Sequence, residues 1–171
     1  MTLEKEETAG LPLFNSAFET GVRAVVVLDS AFPKSFDRQR LIWFDHLVVH
    51  TKDVGGPESL HPPIPSRAQE LLVRTKIVER GVGLMRLRGL VTASVETEGL
   101  FYSATEAAGP FVEHLSTSYG KRLRTAAEWL FREFGSMSFE ELRSVVDTHF
   151  DRWSLEFQSL TTRADLGDVP Q

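Results

Sequence analysis

The sequence contains no cysteine among its 171 residues. That excludes disulfides, thiolate nucleophiles, Cys-ligated zinc and iron–sulfur clusters, and it fits a reducing compartment. Long apolar runs are missing as well. The best of them, Ala24 to Leu28, is far short of the roughly 20 residues that cross a bilayer. The opening Met1-Thr2-Leu3-Glu4-Lys5-Glu6-Glu7 lacks the basic-then-apolar plan of a signal peptide. The expectation is a cytoplasmic protein with no membrane contact. Catalytic signatures are also absent: there is no Walker loop, no Gly-x-Ser-x-Gly elbow and no Rossmann glycine pattern. Gly55-Gly56 leads into Pro57 and no helix opens there. His46 and His50 have the i, i+4 spacing of helical zinc ligands, but Leu47-Val48-Val49 follows His46 and no third ligand is indicated. Glu140 and Glu141 open a helix, where the helix dipole accounts for them without catalysis. No enzyme, metal or cofactor is expected.

What is present suffices for one core, since 42% of the residues are apolar. The net charge of -5 is unevenly spread: Lys and Arg against Asp and Glu number 6 and 9 in residues 1–65, 9 and 6 in 66–124, and 4 and 9 in 125–171. Only the centre is basic, and a surplus of three is mild for a domain living on phosphate contacts.

Residues 1–13 are charged and aperiodic, which suggests a mobile leader. A single helical domain is expected over 14–157, then a flexible tail over 158–171. Ser16 and Glu19 have capping-box spacing ahead of Phe18, Val22, Val25 and Val26, giving a core helix that ends near Pro33. Ser35 or Asp37 can cap a second helix with Leu41, Phe44, Leu47 and Val48 as its stripe and Arg38, Arg40 and Asp45 at more polar positions. Between His50 and Ser66, four prolines and the Gly55-Gly56 pair forbid regular helix and give a long loop, either functional or a solvated linker.

The centre has the outline of a winged helix. Arg67 to Arg74 reads as a positioning helix, and Thr75 as the cap of a second helix, Lys76 to Arg88. Ile77, Val78, Gly81, Val82, Leu84 and Met85 gather on one face, while Lys76, Glu79, Arg80, Gly83 and Arg86 gather on the other. Gly81 on the buried side suggests a close helix crossing. Two alternating strands joined through Thr97-Glu98-Gly99 then form the wing, whose Glu96 and Glu98 would oppose docking on a phosphate backbone. Thr105 can cap a helix reaching about Leu115. A further helix from Ser118 to Phe134 stops at Gly135, and a Ser138/Glu141 capping box opens a last one bearing Leu142, Val145, Val146, Phe150, Trp153 and Phe157. The fold class expected is mainly α with a small β-hairpin: a winged-helix core with added N- and C-terminal helices.

The run from Asp53 through Gly55-Gly56-Pro57, His61-Pro62-Pro63 and Arg67, followed by Glu70-Leu71-Leu72-Val73-Arg74 and Gly83-Leu84-Met85, resembles the middle component of bacterial ABC-three-component systems. Upstream, Phe14-Asn15, Glu19-Thr20-Gly21, Arg23-Ala24 and Asp45-His46-Leu47 carry the likeness, which extends from about Phe14 to Phe157. The resemblance implies a small non-catalytic subunit encoded beside an SMC-like ABC ATPase, in systems proposed to defend bacteria against phage and other invading DNA. An effector subunit would accompany it, and DNA would be reached through the complex. On that reading Asp53, Gly55, Gly56, Pro57, His61, Arg67 and Glu70 are contact residues or loop anchors. The alternative is a DNA-binding winged-helix regulator using Lys76, Arg80 and Arg86, and a homodimer is left open.

Overall fold

The computed structural model describes the backbone of residues 16–63 and 67–149, and the side chains of these apart from 67–73. The expected leader and tail, with Phe150, Trp153 and Phe157 of the expected terminal stripe, lie outside the described residues.

The Ser16/Glu19 box forms as its spacing predicts. Glu19 N–H donates to Ser16 Oγ at 3.1 Å and Ser16 N–H to Glu19 Oε2 at 3.5 Å, starting α1 over Ala17–Ala31. This helix is not one-faced: Thr20, Gly21 and Arg23 through Leu28 are all buried, because α2, α3, α4, α5 and β3, defined below, pack around it. Phe18, expected in the core, is 51% exposed. It sits in the first turn, outside that ring of partners, with the Arg88 guanidinium 5.8 Å from its ring centre.

Asp37 caps α2, Arg38–Leu47, accepting from Arg40 N–H at 2.9 Å, and the predicted stripe of Leu41, Phe44, Leu47 and Val48 is buried. Asp45, expected at a polar position, is instead completely buried. The next helix corrects the sequence reading further. In place of two helices meeting at Thr75, one unbroken α3 runs from Arg67 to Leu87. No glycine or proline lies between 67 and 80, so the capping potential of Thr75 meets no break to cap. Gly81 does make the expected crossing, and its partner is Gly21 of α1: a Cβ on Gly81 would stand 2.6 Å from both Ala17 O and Gly21 N.

The hairpin β2 (Val91–Glu96) and β3 (Gly99–Ala104) turns through Thr97-Glu98 and runs in register from Val91↔Ala104 to Glu96↔Gly99. A two-residue strand β1, Phe36–Asp37, adds antiparallel to β3, so the sheet order is β1-β3-β2. Only the base of the hairpin is covered. Val91, Tyr102 and Ala104 are buried, whereas Val95 is 87% exposed, because the ribbon outruns the body it packs on.

Thr105 does not cap a helix. Its hydroxyl donates to Gly89 O at 2.6 Å and its N–H to Leu90 O at 3.0 Å, tying the end of β3 to the end of α3. The short α4, Ala108–Glu113, follows from Ala107 without a side-chain cap. Thr117 caps α5, Ser118–Phe134, and the Ser138/Glu141 box opens α6, residues 139–149, which buries Leu142 and Val146. The result is a mainly helical domain with a small three-stranded antiparallel sheet.

The two glycines of α3 give opposite expectations. Gly81→Ala should destabilise by about 1–3 kcal/mol, overpacking against backbone despite a gain in helix propensity. Gly83→Ala meets nothing within 4 Å and should stabilise by about 0.5–1 kcal/mol. Urea midpoints of the two variants check the contrast.

Candidate functional site

Three helices each send one charged side chain to a single buried point. Asp45 of α2 accepts from Arg23 Nε of α1 at 2.8 Å and from Arg23 Nη2 at 3.2 Å. Arg74 Nη1 of α3 reaches Asp45 Oδ2 at 2.5 Å and the Asp45 carbonyl at 3.2 Å. Arg23 Nη2 also donates to Thr20 Oγ1 at 3.1 Å. Burial alone would push the Asp45 carboxyl up, but Arg23 and Arg74 outweigh it and hold its pKa below the ordinary 3.8. Burial opposes the Arg23 charge in the same way, and Asp45 more than restores it, so its pKa is raised.

A chain of aromatic rings leads outward from this point. Burial raises the Tyr119 pKa, with Arg23 acting against the rise, and the Tyr119 hydroxyl shares a 2.9 Å hydrogen bond with His61 Nε2. The His61 ring stands edge-on to His50, centroids 6.0 Å apart, and His50 lies 4.6 Å from His46. His46 Nε2 is 3.9 Å from Asp53 Oδ2. The predicted loop is therefore fastened to the core through Asp53 and His61, two of the residues its sequence singled out.

Its backbone is equally determined. Thr51–Val54 forms a 3₁₀ turn closed by Gly55 at φ 80°, a left-handed conformation that glycine adopts without a Cβ penalty. Gly56 N–H donates to Thr51 O at 2.9 Å, Thr51 Oγ1 to Pro57 O at 2.9 Å, and His61 N–H to Val49 O at 3.0 Å. A Cβ on Gly56 would lie 2.6 Å from Trp129 Cη2, so the glycine lets the loop seat on the α5 indole.

The predicted residues thus divide. Gly56, Asp53 and His61 face inward; Gly55 and Pro57 lie on the exposed crest with Lys52, Glu58, Pro62 and Pro63. Arg67 and Glu70 occupy the first turn of α3, and their side chains are outside the described residues. Lys76, Arg80 and Arg86 lie exposed on α3, away from the loop anchors. Sequence reasoning missed the triad, although a signal was available: Asp45 sits four residues after Leu41 and three before Val48, on the apolar stripe itself, and Arg23 interrupts an apolar run.

Chemically, the centre is sealed. The Asp45 charge is committed to two guanidiniums and no solvent reaches it. Among the described residues, no three potential ligands converge on a metal position. What remains accessible is surface: a cleft of about 440 Å³ bordered by Lys52, Glu58, Ser59, Leu60 and the two prolines at 62 and 63, with His50, Asp53 and His61 behind. Among the described residues no helix is long and apolar enough to cross a membrane.

The domain is mainly helical, with one buried cluster of charges and an exposed loop. Residues 13–156 match the family described as ABC-three component (ABC-3C) system Middle Component 2, and the chain belongs to that family. The likeness read from Phe14 to Phe157 is borne out over nearly the same span. No curated protein and no solved structure matches the chain.

Asp45→Asn keeps the shape and removes the charge, leaving two buried guanidiniums without their carboxylate; it should cost about 3–5 kcal/mol. Because folding lowers the Asp45 pKa, its contribution is fully present above the unfolded value of about 4 and is lost as pH falls through the folded one. Urea midpoints between about pH 3 and 7 should fall on the acid side of pH 4, and the variant should lack that part of the slope.

Proposed function

We propose that this chain is a non-catalytic adaptor subunit of an SMC-like ABC ATPase complex, acting in the cytoplasm in bacterial defence against phage or other invading DNA. The observation that carries the reading is membership of a middle-component family of three-component ABC systems: such a subunit works with other components, the ATPase supplying hydrolysis and an effector supplying damage. The loop supports it physically. A crest of prolines and a left-handed glycine, fastened from below by Asp53, Gly56 and His61, presents a preformed surface at little ordering cost on binding. Gly55, Pro57 and Glu58, with Lys52 beside them, are the contact residues on this reading, and the inward residues are anchors, with Arg67 and Glu70 at the loop's base. The acidic exposed side of α6, with Glu140 and Asp147, is the second candidate contact.

The element order α1-β1-α2-α3-β2-β3 with sheet order β1-β3-β2 supports a winged-helix assignment in which α2 and α3 form the helix pair, separated by the long loop. On that assignment a DNA-binding regulator is the second reading. Lys76, Arg80 and Arg86 are exposed on α3 and, among the described residues, are in no ion pair. Against it stand Glu96 and Glu98 on the wing, which would meet phosphates of like charge.

Co-expression with the products of its neighbouring genes tests the adaptor reading. The chain should co-elute with the ATPase on size-exclusion chromatography. Pro57→Ala with Glu58→Lys should leave stability within about 0.5 kcal/mol and abolish co-elution, whereas Gly56→Val should lose folding. Elution of the chain alone, with duplex binding that weakens steeply with salt and depends on Lys76, Arg80 and Arg86, would replace the adaptor with the regulator.

A further inference from the structure

The outward stripe of α3 and the tip of the wing are complementary surfaces carried by the same chain. Lys76, Arg80, Gly83 and Leu87 fall on one line of the helix, at i, i+4, i+7 and i+11, spanning on the order of 16 Å. Lys76 and Arg80 are exposed, Leu87 is 87% exposed, and around Gly83 a Cβ would meet nothing within 4 Å. The stripe is therefore a saddle of bare backbone with two cations on one side and a leucine on the other. Glu79 on its flank is already paired with Arg38 at 2.6 Å, which leaves the saddle's own charge positive.

The wing tip has the opposite character. Val95 and Leu100 oppose one another across the strands on one face, both exposed. Glu96 projects from the other face, where it accepts a 3.2 Å hydrogen bond from Ser94 Oγ, and Glu98 lies in the turn, where it also borders a cleft with Asp37, Arg40, Phe101 and Phe139. Among the described residues neither Glu96 nor Glu98 is in an ion pair. Arg80 and Leu87 straddle Gly83 about 10 Å apart along the axis, close to the thickness of a pleated ribbon with its side chains, which is about 10 Å. A hairpin laid across Gly83 would place Val95 and Leu100 against Leu87, and Glu96 against Arg80 and Lys76.

The chain's own wing does not do this, since Leu87 and Val95 are each 87% exposed. We infer that a second copy of this chain does: two protomers pair about a two-fold axis, each seating its wing tip on the other's α3 saddle. Every protomer then offers one tip and one saddle, so the contact closes on itself and occurs twice. This goes beyond the adaptor reading and does not depend on it, because no ATPase is needed for the pairing. It also gives the basic stripe an occupant other than a nucleic acid.

Reciprocal charge reversal tests the pairing, using the full chain and sedimentation equilibrium at about 100 µM and low salt, a concentration that detects Kd values into the micromolar range. The wild type should be a dimer that weakens as salt rises. Lys76→Glu with Arg80→Glu makes tip and saddle both acidic; Glu96→Lys with Glu98→Lys makes both basic. Each double variant should keep its circular dichroism and melting temperature, lying on exposed positions, and should dimerise at least about tenfold more weakly. Mixing the two variants should restore a dimer, because each acidic tip then meets a basic saddle and each basic tip an acidic one. A monomeric wild type, a dimer that survives both reversals, or monomeric variants that do not pair on mixing would each overturn the proposal. So would a wild-type monomer whose Lys76 and Arg80 are needed for binding duplex DNA.

Discussion

One buried carboxylate organises this domain. Asp45 draws Arg23 from α1 and Arg74 from α3 to the same point on α2, so that one carboxylate joins all three helices. A lone carboxylate with no exposed surface would be prohibitively costly, and so would either guanidinium alone. Their mutual commitment turns that cost into a geometric requirement: the three helices must meet in one arrangement or leave charges stranded. The adjacent close approach of Gly21 to Gly81 has the same effect in a different medium, since backbone against backbone leaves no room for slack.

From that fixed centre the surface features follow. Arg23 faces Tyr119, Tyr119 shares a hydrogen bond with His61, and the neighbouring imidazoles of His50 and His46 lead on to Asp53, while Thr51 and Trp129 seat the crest at residues 55–58. A segment rich in proline and glycine would ordinarily fluctuate. Here the ordering entropy is met during folding rather than on encounter with a partner. The same division of labour holds at the other end of α3, where Thr105 latches β3 to Gly89 and leaves the outer half of the hairpin projecting. Both the loop and the outer hairpin are thus projections held by contacts made at their bases.

Much of the framework was legible in the residues. Both capping boxes form as spaced, the α2 stripe is buried as its period predicts, α5 runs between its expected ends, and Gly81 marks a close crossing. Local chemistry decides these features, and local chemistry is what a sequence displays. The failures share a different cause. Asp45 read as polar and outward because its partners lie 22 and 29 residues away, and a long-range ion pair leaves no periodic trace. Thr75 and Thr105 were read as caps on propensity alone, yet one sits inside an unbroken helix and the other bonds across to Gly89. The two-residue β1 is too short to carry a period at all. Within the candidate site, the sequence marked the loop by its prolines and paired glycines but left Asp53 and His61 as contacts or anchors alike, since the direction each faces depends on Tyr119 and the histidines supplied by other elements.

The decisive experiment is amide hydrogen exchange of the full chain, alone and mixed with the ATPase that the adaptor proposal names as its partner. In the free protein the amides of Asp53, Gly56 and His61, each hydrogen-bonded to backbone, should already exchange as slowly as core amides, and the ATPase should add protection at residues 52–61. A loop that exchanges at the rate of an unstructured peptide, or a complex that protects other surfaces and leaves 52–61 unchanged, would contradict that expectation.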